Sequence, residues 1–267
     1  MFTQYFSLKF NPFCKELSDK DLFISNDTKE LLARLEYMKK TRGFFLLTSE
    51  PGFGKTTLLR KFSASLNTGL YKVHYSALST LTVMDFYRSL IVRMGDEPAS
   101  KKVSMFEQLQ QLISTSYYEK RVTPIFILDE ADALSNSILE DLRIIFNFKM
   151  DSENPFIVIL AGNTSIRRKL QTSPNQALRQ RIIGNYQMTG ISRDEIKDYI
   201  SSRLKLAGAA DTNIFTDPAL ESIFTSTGGA LRMINNLAVA SLTCASSRNQ
   251  STVDIEMVYQ ADRDIEI

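Results

Sequence analysis

The stretch Ser49-Glu50-Pro51-Gly52-Phe53-Gly54-Lys55-Thr56-Thr57 sets a lysine and two hydroxyls directly behind two glycines. Those residue types at that spacing suit a polyphosphate. Glycines let backbone amides converge on an anion, an ammonium meets the outer phosphates, and a hydroxyl completes the shell of a divalent cation. The pattern is G-x-x-x-x-G-K-[ST], with Ser49 where the first glycine stands. That position supplies no group to the phosphates, and a small serine can adopt the turn, so the loop survives the change. Pro51, Gly52, Phe53 and Gly54 then form the cradle, Lys55 reaches the β- and γ-phosphates, Thr56 ligates Mg²⁺ and Thr57 caps the α-phosphate. The bland alternative is a glycine-bearing turn before an ordinary helix. It explains Gly52 and Gly54 but not Lys-Thr-Thr at the helix entrance.

Far along the chain, "IFILDEADAL" closes an apolar run with Asp129 and Glu130. Asp129 would hold Mg²⁺ through its water shell, and Glu130 would position and deprotonate an attacking water. "IVILAGNT" ends another run at Asn163, which either orients the same water or forms a turn. "NQALRQRIIGNYQ" carries Arg179 and Arg181; set two residues apart, only one can reach a neighbouring subunit's γ-phosphate as an arginine finger. Arg181 is the preferred candidate, with a surface salt bridge as the alternative. Arg232, in "TGGALRMINNL", is placed to reach back to the phosphates or else to sit solvated on its helix.

These residues need elements to position them. Apolar runs at 43–48, 70–76, 124–129 and 155–162, with a weaker one at 185–190, alternate with helical stretches. Continuous apolar strands between helices indicate a parallel sheet covered on both faces. About two helices fit between residues 82 and 121. "NDTKELLARLEYMKKT" reads as a helix capped by Asn26 or Asp27, burying Leu31, Leu35 and Met38. Beyond Gly190 the pattern is helical only, opening on the Ser192/Glu195 capping box and pausing at Gly208. The expected organisation is an aromatic head docked on the core over 1–25, an α/β nucleotide-binding domain over 26–189 and a helical lid domain over 190–267.

The formal charge of +2 excludes a chain that binds nucleic acid by bulk charge, so any such contact must come from local patches. Candidates are Arg167, Arg168 and Lys169 after the Asn163 strand, and Lys101 and Lys102 before it. The first group could equally face a neighbour's acidic nucleotide site, and a solvated pair is the commoner explanation of the two lysines. Cys14 and Cys244 match no metal-ligand spacing, and His74, the sole histidine, reads as a strand residue. No run reaches membrane-spanning length and no signal peptide opens the chain, so a cytoplasmic protein without a membrane partner is expected.

In that order the phosphate loop, "LDEAD", strand-end Asn163, "LRQRI" and "GGALR" resemble an AAA+ ATPase over nearly the whole chain. The head "YFSLKFNPF" and "GALRMINNL" are similar to the ExeA/GspA-type branch. The resemblance implies an α/β P-loop NTPase fold, a three-layer sandwich around a central parallel sheet followed by a small all-helical lid. It also implies ATP and Mg²⁺ as ligands, ATP hydrolysis, and a homo-oligomer, ring or helical filament, with the finger acting in trans. Within that branch the short relatives are the TniB/TnsC/IstB-type ATPase regulators of bacterial DNA transposition. Because the 267 residues hold no membrane span, this reading is preferred. It implies sequence-independent assembly on duplex DNA, with a transposase and a targeting protein as partners. The alternative is an ExeA-type secretion-assembly or protein-remodelling ATPase with no DNA role.

Overall fold

A computed structural model of the chain describes residues 1–15, 18, 20–77 and 82–265; a few positions of the expected head and lid lie outside that set. The elements begin with α1 (Phe2–Tyr5), α2 (Asn26–Thr41), β1 (Gly43–Thr48), α3 (Lys55–Ser65) and β2 (Tyr71–Ser76). Next come α4 (Val83–Met94), α5 (Lys102–Ser114), β3 (Thr123–Leu128), α6 (Asn136–Ile145), β4 (Ile157–Gly162), α7 (Ser165–Gln171), α8 (Gln176–Gln180) and β5 (Ile182–Gln187). Among the described residues only helices follow: α9 (Ile196–Leu206), α10 (Asp217–Thr227), α11 (Leu231–Ser247) and α12 (Ile255–Ile265). Two compact units result, one of Glu30–Glu50 with Lys55–Met188, the other of Met1–Lys29, Pro51–Gly54 and Thr189–Ile267.

The first unit is built on a parallel sheet in the order β2-β3-β4-β1-β5. Side chains alternate across its pleat. Phe44, Leu46, Phe126, Leu128, Val158 and Leu160 face α4 to α8, while Phe45, Leu47, Ile125, Ile127, Ile157 and Ile159 face α2 and α3. Helices on both faces make the three layers, and β1 and β4 are buried at every position, which explains their unbroken apolar runs. Each such large side chain contributes roughly 1.5–3 kcal/mol by leaving water.

The fifth strand runs over 182–187, three residues before the apolar run that suggested it. It is an edge strand with alternating burial, so continuous hydrophobicity could not mark it. The start of α2 also differs from expectation. Ser25 takes the cap, its hydroxyl accepting from the Thr28 amide at 3.1 Å. Asp27 instead accepts from the amides of Thr189 and Gly190 at 3.1 and 3.2 Å. Its helical stripe of Leu31, Leu35 and Met38 is buried as the spacing requires. His74 lies buried in β2, stacked on Phe126, with Nδ1 at 2.8 Å from the Arg93 carbonyl; burial above all lowers its pKa.

The second unit has its own core, in which Ile196, Ile200, Leu204, Leu220, Ile223, Ile234, Leu237, Leu242 and Val258 meet from four helices. The Ser192/Glu195 capping box is formed. Of the head aromatics, Phe13 is buried and Phe2, Phe6 and Phe23 pack against this core, while Tyr5 and Phe10 stay exposed. The head therefore serves the helical unit. Its attachment includes Arg203, buried in α9, which donates to the Cys14 carbonyl at 2.9 Å. Among the described residues, no helix is long and apolar enough to cross a membrane.

Candidate nucleotide-binding site

The carboxyl ends of parallel strands are where an open α/β sheet gathers its functional groups. Here Thr48 is level with Gly162, and Ser76 with Leu128, so Ser49, Asp129 and Asn163 each follow directly on a strand end. Gly52 and Gly54 have φ of +89° and +94°, a region that side chains disfavour, which accounts for glycine at both. Ser49 does not share that conformation, so the missing first glycine strains nothing. The loop ends where α3 begins at Lys55, and the first amides of a helix have no partner within the helix itself, which suits them to an anion. Lys55 and Thr57 are half-buried and Thr56 is exposed at this entrance. Pro51 and Phe53, between the glycines, group with the helical unit.

Thr56 donates its hydroxyl proton to Asp129 Oδ2 at 2.7 Å, joining the loop to the end of β3. Asp129 is only 6% exposed. Its Oδ1 accepts from the Glu130 amide at 3.0 Å, and its Oδ2 accepts a second hydroxyl, that of Tyr75, at 3.0 Å. Burial first, then the Asp129 charge, pushes the Tyr75 hydroxyl up to about 12, so it remains a donor at ordinary pH. Sequence reasoning missed Tyr75. Its position on the exposed face of edge strand β2 gives no motif, although β2's pairing with β3 puts it one strand from the acidic pair.

Glu130 is exposed and sits at φ +56°, a left-handed conformation that costs a non-glycine residue about 1 kcal/mol or more. The turn it starts carries Asp132 to Asn163. Asp132 Oδ1 accepts from the Asn163 amide at 2.9 Å and Oδ2 from the Asn163 side-chain nitrogen at 2.6 Å. A Cβ on Gly162 would meet Asp132 Oδ1 at 2.7 Å, so glycine there is required by this approach. Asn163 Oδ1 accepts from the Ser165 amide at 2.8 Å. Both ends of its amide are thus engaged, one as the turn-former weighed in the sequence and one by an aspartate the sequence reading passed over.

The cations divide sharply. Arg181 is turned inward, 13% exposed, donating to the Arg143 carbonyl at 2.6 Å and paired with Asp151. Arg179, on α8, is exposed and has no partner among the described residues. To reach a neighbour, the preferred candidate Arg181 must first give up these contacts within its own unit, whereas Arg179 has none among the described residues to give up. Arg232 is exposed, and its amide donates to the Gly52 carbonyl at 3.0 Å, so it begins α11 against the loop's own backbone. Three of the five candidate nucleic-acid cations have internal duties. Lys102 pairs with buried Asp141 at 2.8 Å, Arg167 donates to the Thr48 hydroxyl at 3.0 Å, and Lys169 donates to the Asp132 and Leu134 carbonyls at 2.5 and 2.7 Å. Lys101 and Arg168 remain exposed.

The donor set fits a magnesium-bound polyphosphate. Helix amides and an ammonium face the anion's charge, while one hydroxyl and one buried carboxylate are the hard oxygen ligands that Mg²⁺ takes alongside water and phosphate. Among the described residues there is no group of three acidic, histidine or cysteine side chains able to cage a metal alone.

A five-stranded parallel sheet with helices on both faces, a glycine loop entering α3 and an acidic strand end define the P-loop NTPase fold, and residues 38–170 match the family model of the AAA domain. The chain is 30% identical over 258 residues to general secretion pathway protein A of Aeromonas hydrophila, spanning 95% of this chain but only 46% of that protein. Among solved structures it is similar to Cdc6p of Pyrobaculum aerophilum, with a TM-score of 0.69, 16% identity, and 95% of this chain and 70% of that one covered. It is also similar to the ORC2 protein of Aeropyrum pernix in ADPNP–ADP complexes, with a TM-score of 0.66, 16% identity, and 95% and 71% covered. At those identities the solved structures speak for the fold alone.

Proposed function

We propose that this chain binds Mg–ATP at the 49–57 loop, hydrolyses it, and couples turnover to head-to-tail assembly as the ATPase part of a general-secretion-type factor. The observation that carries the chemistry is the 2.7 Å bond from Thr56 to Asp129. It turns the threonine hydroxyl's proton toward the carboxylate, which accepts the hydrogen bond, and leaves the oxygen's lone pairs for a cation. Mg²⁺, held by Thr56 and through water by Asp129, would neutralise charge on the phosphates during transfer. Lys55 and the α3 amides bind and orient the β- and γ-phosphates, Pro51 to Gly54 shape the loop, and Thr57 serves the α-phosphate. Glu130 receives the proton of the attacking water, and Asn163, fixed by Asp132, orients that water. Arg232 is assigned to the phosphates held by the loop its amide touches. Arg179, exposed, is assigned as the finger presented to the next subunit.

The secretion-type reading now stands ahead of the transposition regulator. The relative at 30% identity bears a secretion name, and only Lys101 and Arg168 of the proposed DNA cations are without internal duties. Lack of a membrane span within this chain does not separate the two, since 46% of the relative is matched. Sedimentation with Mg²⁺ and a slowly hydrolysed ATP analogue, with and without random-sequence duplex DNA, tests the choice. Nucleotide-driven assembly indifferent to DNA is expected. Assembly that needs both, and dissolves with salt, would return the account to duplex DNA, a transposase and a targeting protein as partners.

Tyr75 gives a second test. In Tyr75→Phe, Asp129 loses one of two donors on Oδ2 and with it a constraint on its orientation. The half-saturating Mg²⁺ concentration should rise about two- to tenfold, the value of one net hydrogen bond, with kcat recovered at excess Mg²⁺. An unchanged Mg²⁺ titration would remove Tyr75 from the site.

A further inference from the structure

The exposed Arg179 is carried by a helix too short to hold a direction alone. α8 has five residues, and an isolated helix below about 12 residues is marginal in water. Its buried residue, Leu178, packs into the core of the first unit and fixes its depth. Its start and its rotation depend on Asn175, the residue just before it, which is 1% exposed. The Asn175 backbone amide donates to the Thr172 carbonyl at 3.0 Å. Its side-chain nitrogen faces three oxygens: the Lys169 carbonyl of α7 at 2.9 Å, the Thr172 hydroxyl at 3.2 Å, and Oδ1 of Asn136, the first residue of α6, at 3.0 Å. The Thr172 hydroxyl gives its own proton to the Lys169 carbonyl at 2.7 Å, so it offers lone pairs to Asn175.

A carbonyl accepts and never donates, so the nitrogen end of the side-chain amide must be the one facing these oxygens. Asn175 Oδ1 is left buried without a partner among the described residues, an arrangement that lowers stability. A leucine of similar shape would avoid that cost but could not hold the three oxygens. The amide is therefore explained by what it fixes. It joins the far end of α7, the start of α6 and the start of α8 in one place. Arg179 is the fourth residue of α8, about one helical turn further on. A guanidinium at the end of a long side chain magnifies any turn of its helix, and a reacting group misplaced by about 1 Å can lower a rate about 10²-fold.

We propose that Asn175 is a positioning residue for Arg179, setting the direction in which α8 presents the guanidinium to the site of the next subunit. The inference rests on the finger assignment above. Its test follows phosphate release from ATP by Asn175→Ala at concentrations where the parent chain assembles, alone and in mixtures. Turnover should fall about 10- to 100-fold, less than for Arg179→Ala, with the Mg–ADP affinity of the dilute chain unchanged. Mixing with Lys55→Ala subunits should restore turnover, because they present an intact finger to the Asn175→Ala site. Mixing with Arg179→Ala subunits should not. A merely structural loss would be rescued by neither. Parent turnover in Asn175→Ala, or a loss that Lys55→Ala cannot rescue while it rescues Arg179→Ala, would overturn the proposal and leave the finger assignment standing. Parent turnover in Arg179→Ala, or a parent chain that does not turn over ATP, would overturn both. Asn136→Ala guards against misfolding, since it removes one of the three oxygens from an exposed position. It should show a smaller loss with the same rescue. If Asn175→Ala does not fold, an Asn136→Ala chain at the parent rate would overturn the proposal.

Discussion

Glu130→Gln should lower ATP turnover by about 10²- to 10⁴-fold while leaving Mg–ATP binding intact, the range expected on removing a general base. Glutamine keeps the size of the side chain and its amide can still point at water, but it cannot accept a proton. The backbone at Glu130 separates the two effects. Glu130 is tied to Asp129 by its own amide and holds a left-handed conformation that depends on the turn, not on its carboxylate. Asp129, Thr56 and Lys55 therefore keep their places in the variant. Single-turnover phosphate release and a binding titration on the same preparation would measure both quantities. Turnover at the parent rate would remove Glu130 from the chemistry; lost binding would recast it as a group that shapes the loop.

The other large effect belongs to Arg179. Arginine fingers contribute on the order of 10³- to 10⁵-fold to turnover where they act, and this one would act on a neighbour. Arg179→Ala should reduce the rate steeply at concentrations where subunits assemble, and have no effect on the nucleotide affinity of the dilute chain. A head-to-tail interface has two unlike halves, the loop of one subunit and the finger of the next. Mixing Arg179→Ala with Lys55→Ala subunits should then restore turnover that neither has alone. Failure of the mixture to gain activity would remove the trans assignment. Arg181→Ala provides the contrast. It strands Asp151 and the Arg143 carbonyl within the same unit, and its main consequence should be a lower thermal midpoint. If Arg181→Ala instead matched the behaviour forecast for Arg179→Ala, the pairing with Asp151 would be a resting contact and the finger would be Arg181 after all.

Most of the α/β layer was legible because its central strands are buried on both faces. A strand such as β1 or β4 must be apolar at every position, and "GFFLLT" and "IVILAG" are. The edges were harder for the same physical reason. β5 alternates, so its signal fell on the wrong residues, and β2 concealed Tyr75 on its open face. Lys55, Thr56, Asp129 and Glu130 could be singled out as candidates because spacing along a chain encodes a loop and a strand end, and the structure places them at those two points. Which cations are free could not. Arg167, Lys169 and Lys102 look like a basic surface in the sequence, yet their partners are a hydroxyl, two carbonyls and a buried carboxylate supplied from positions 35 to 119 residues away. The Asn175–Asn136 bond was closed to sequence reasoning too, since it spans 39 residues and no spacing within a motif announces it.

Phosphate release from ATP by the purified parent chain, followed with and without Mg²⁺ over a range of protein concentrations, tests the central claim most directly. The account predicts turnover that requires Mg²⁺ and rises more than proportionally with protein concentration, because each site is completed by a second copy. No Mg²⁺-dependent release at any concentration would contradict it.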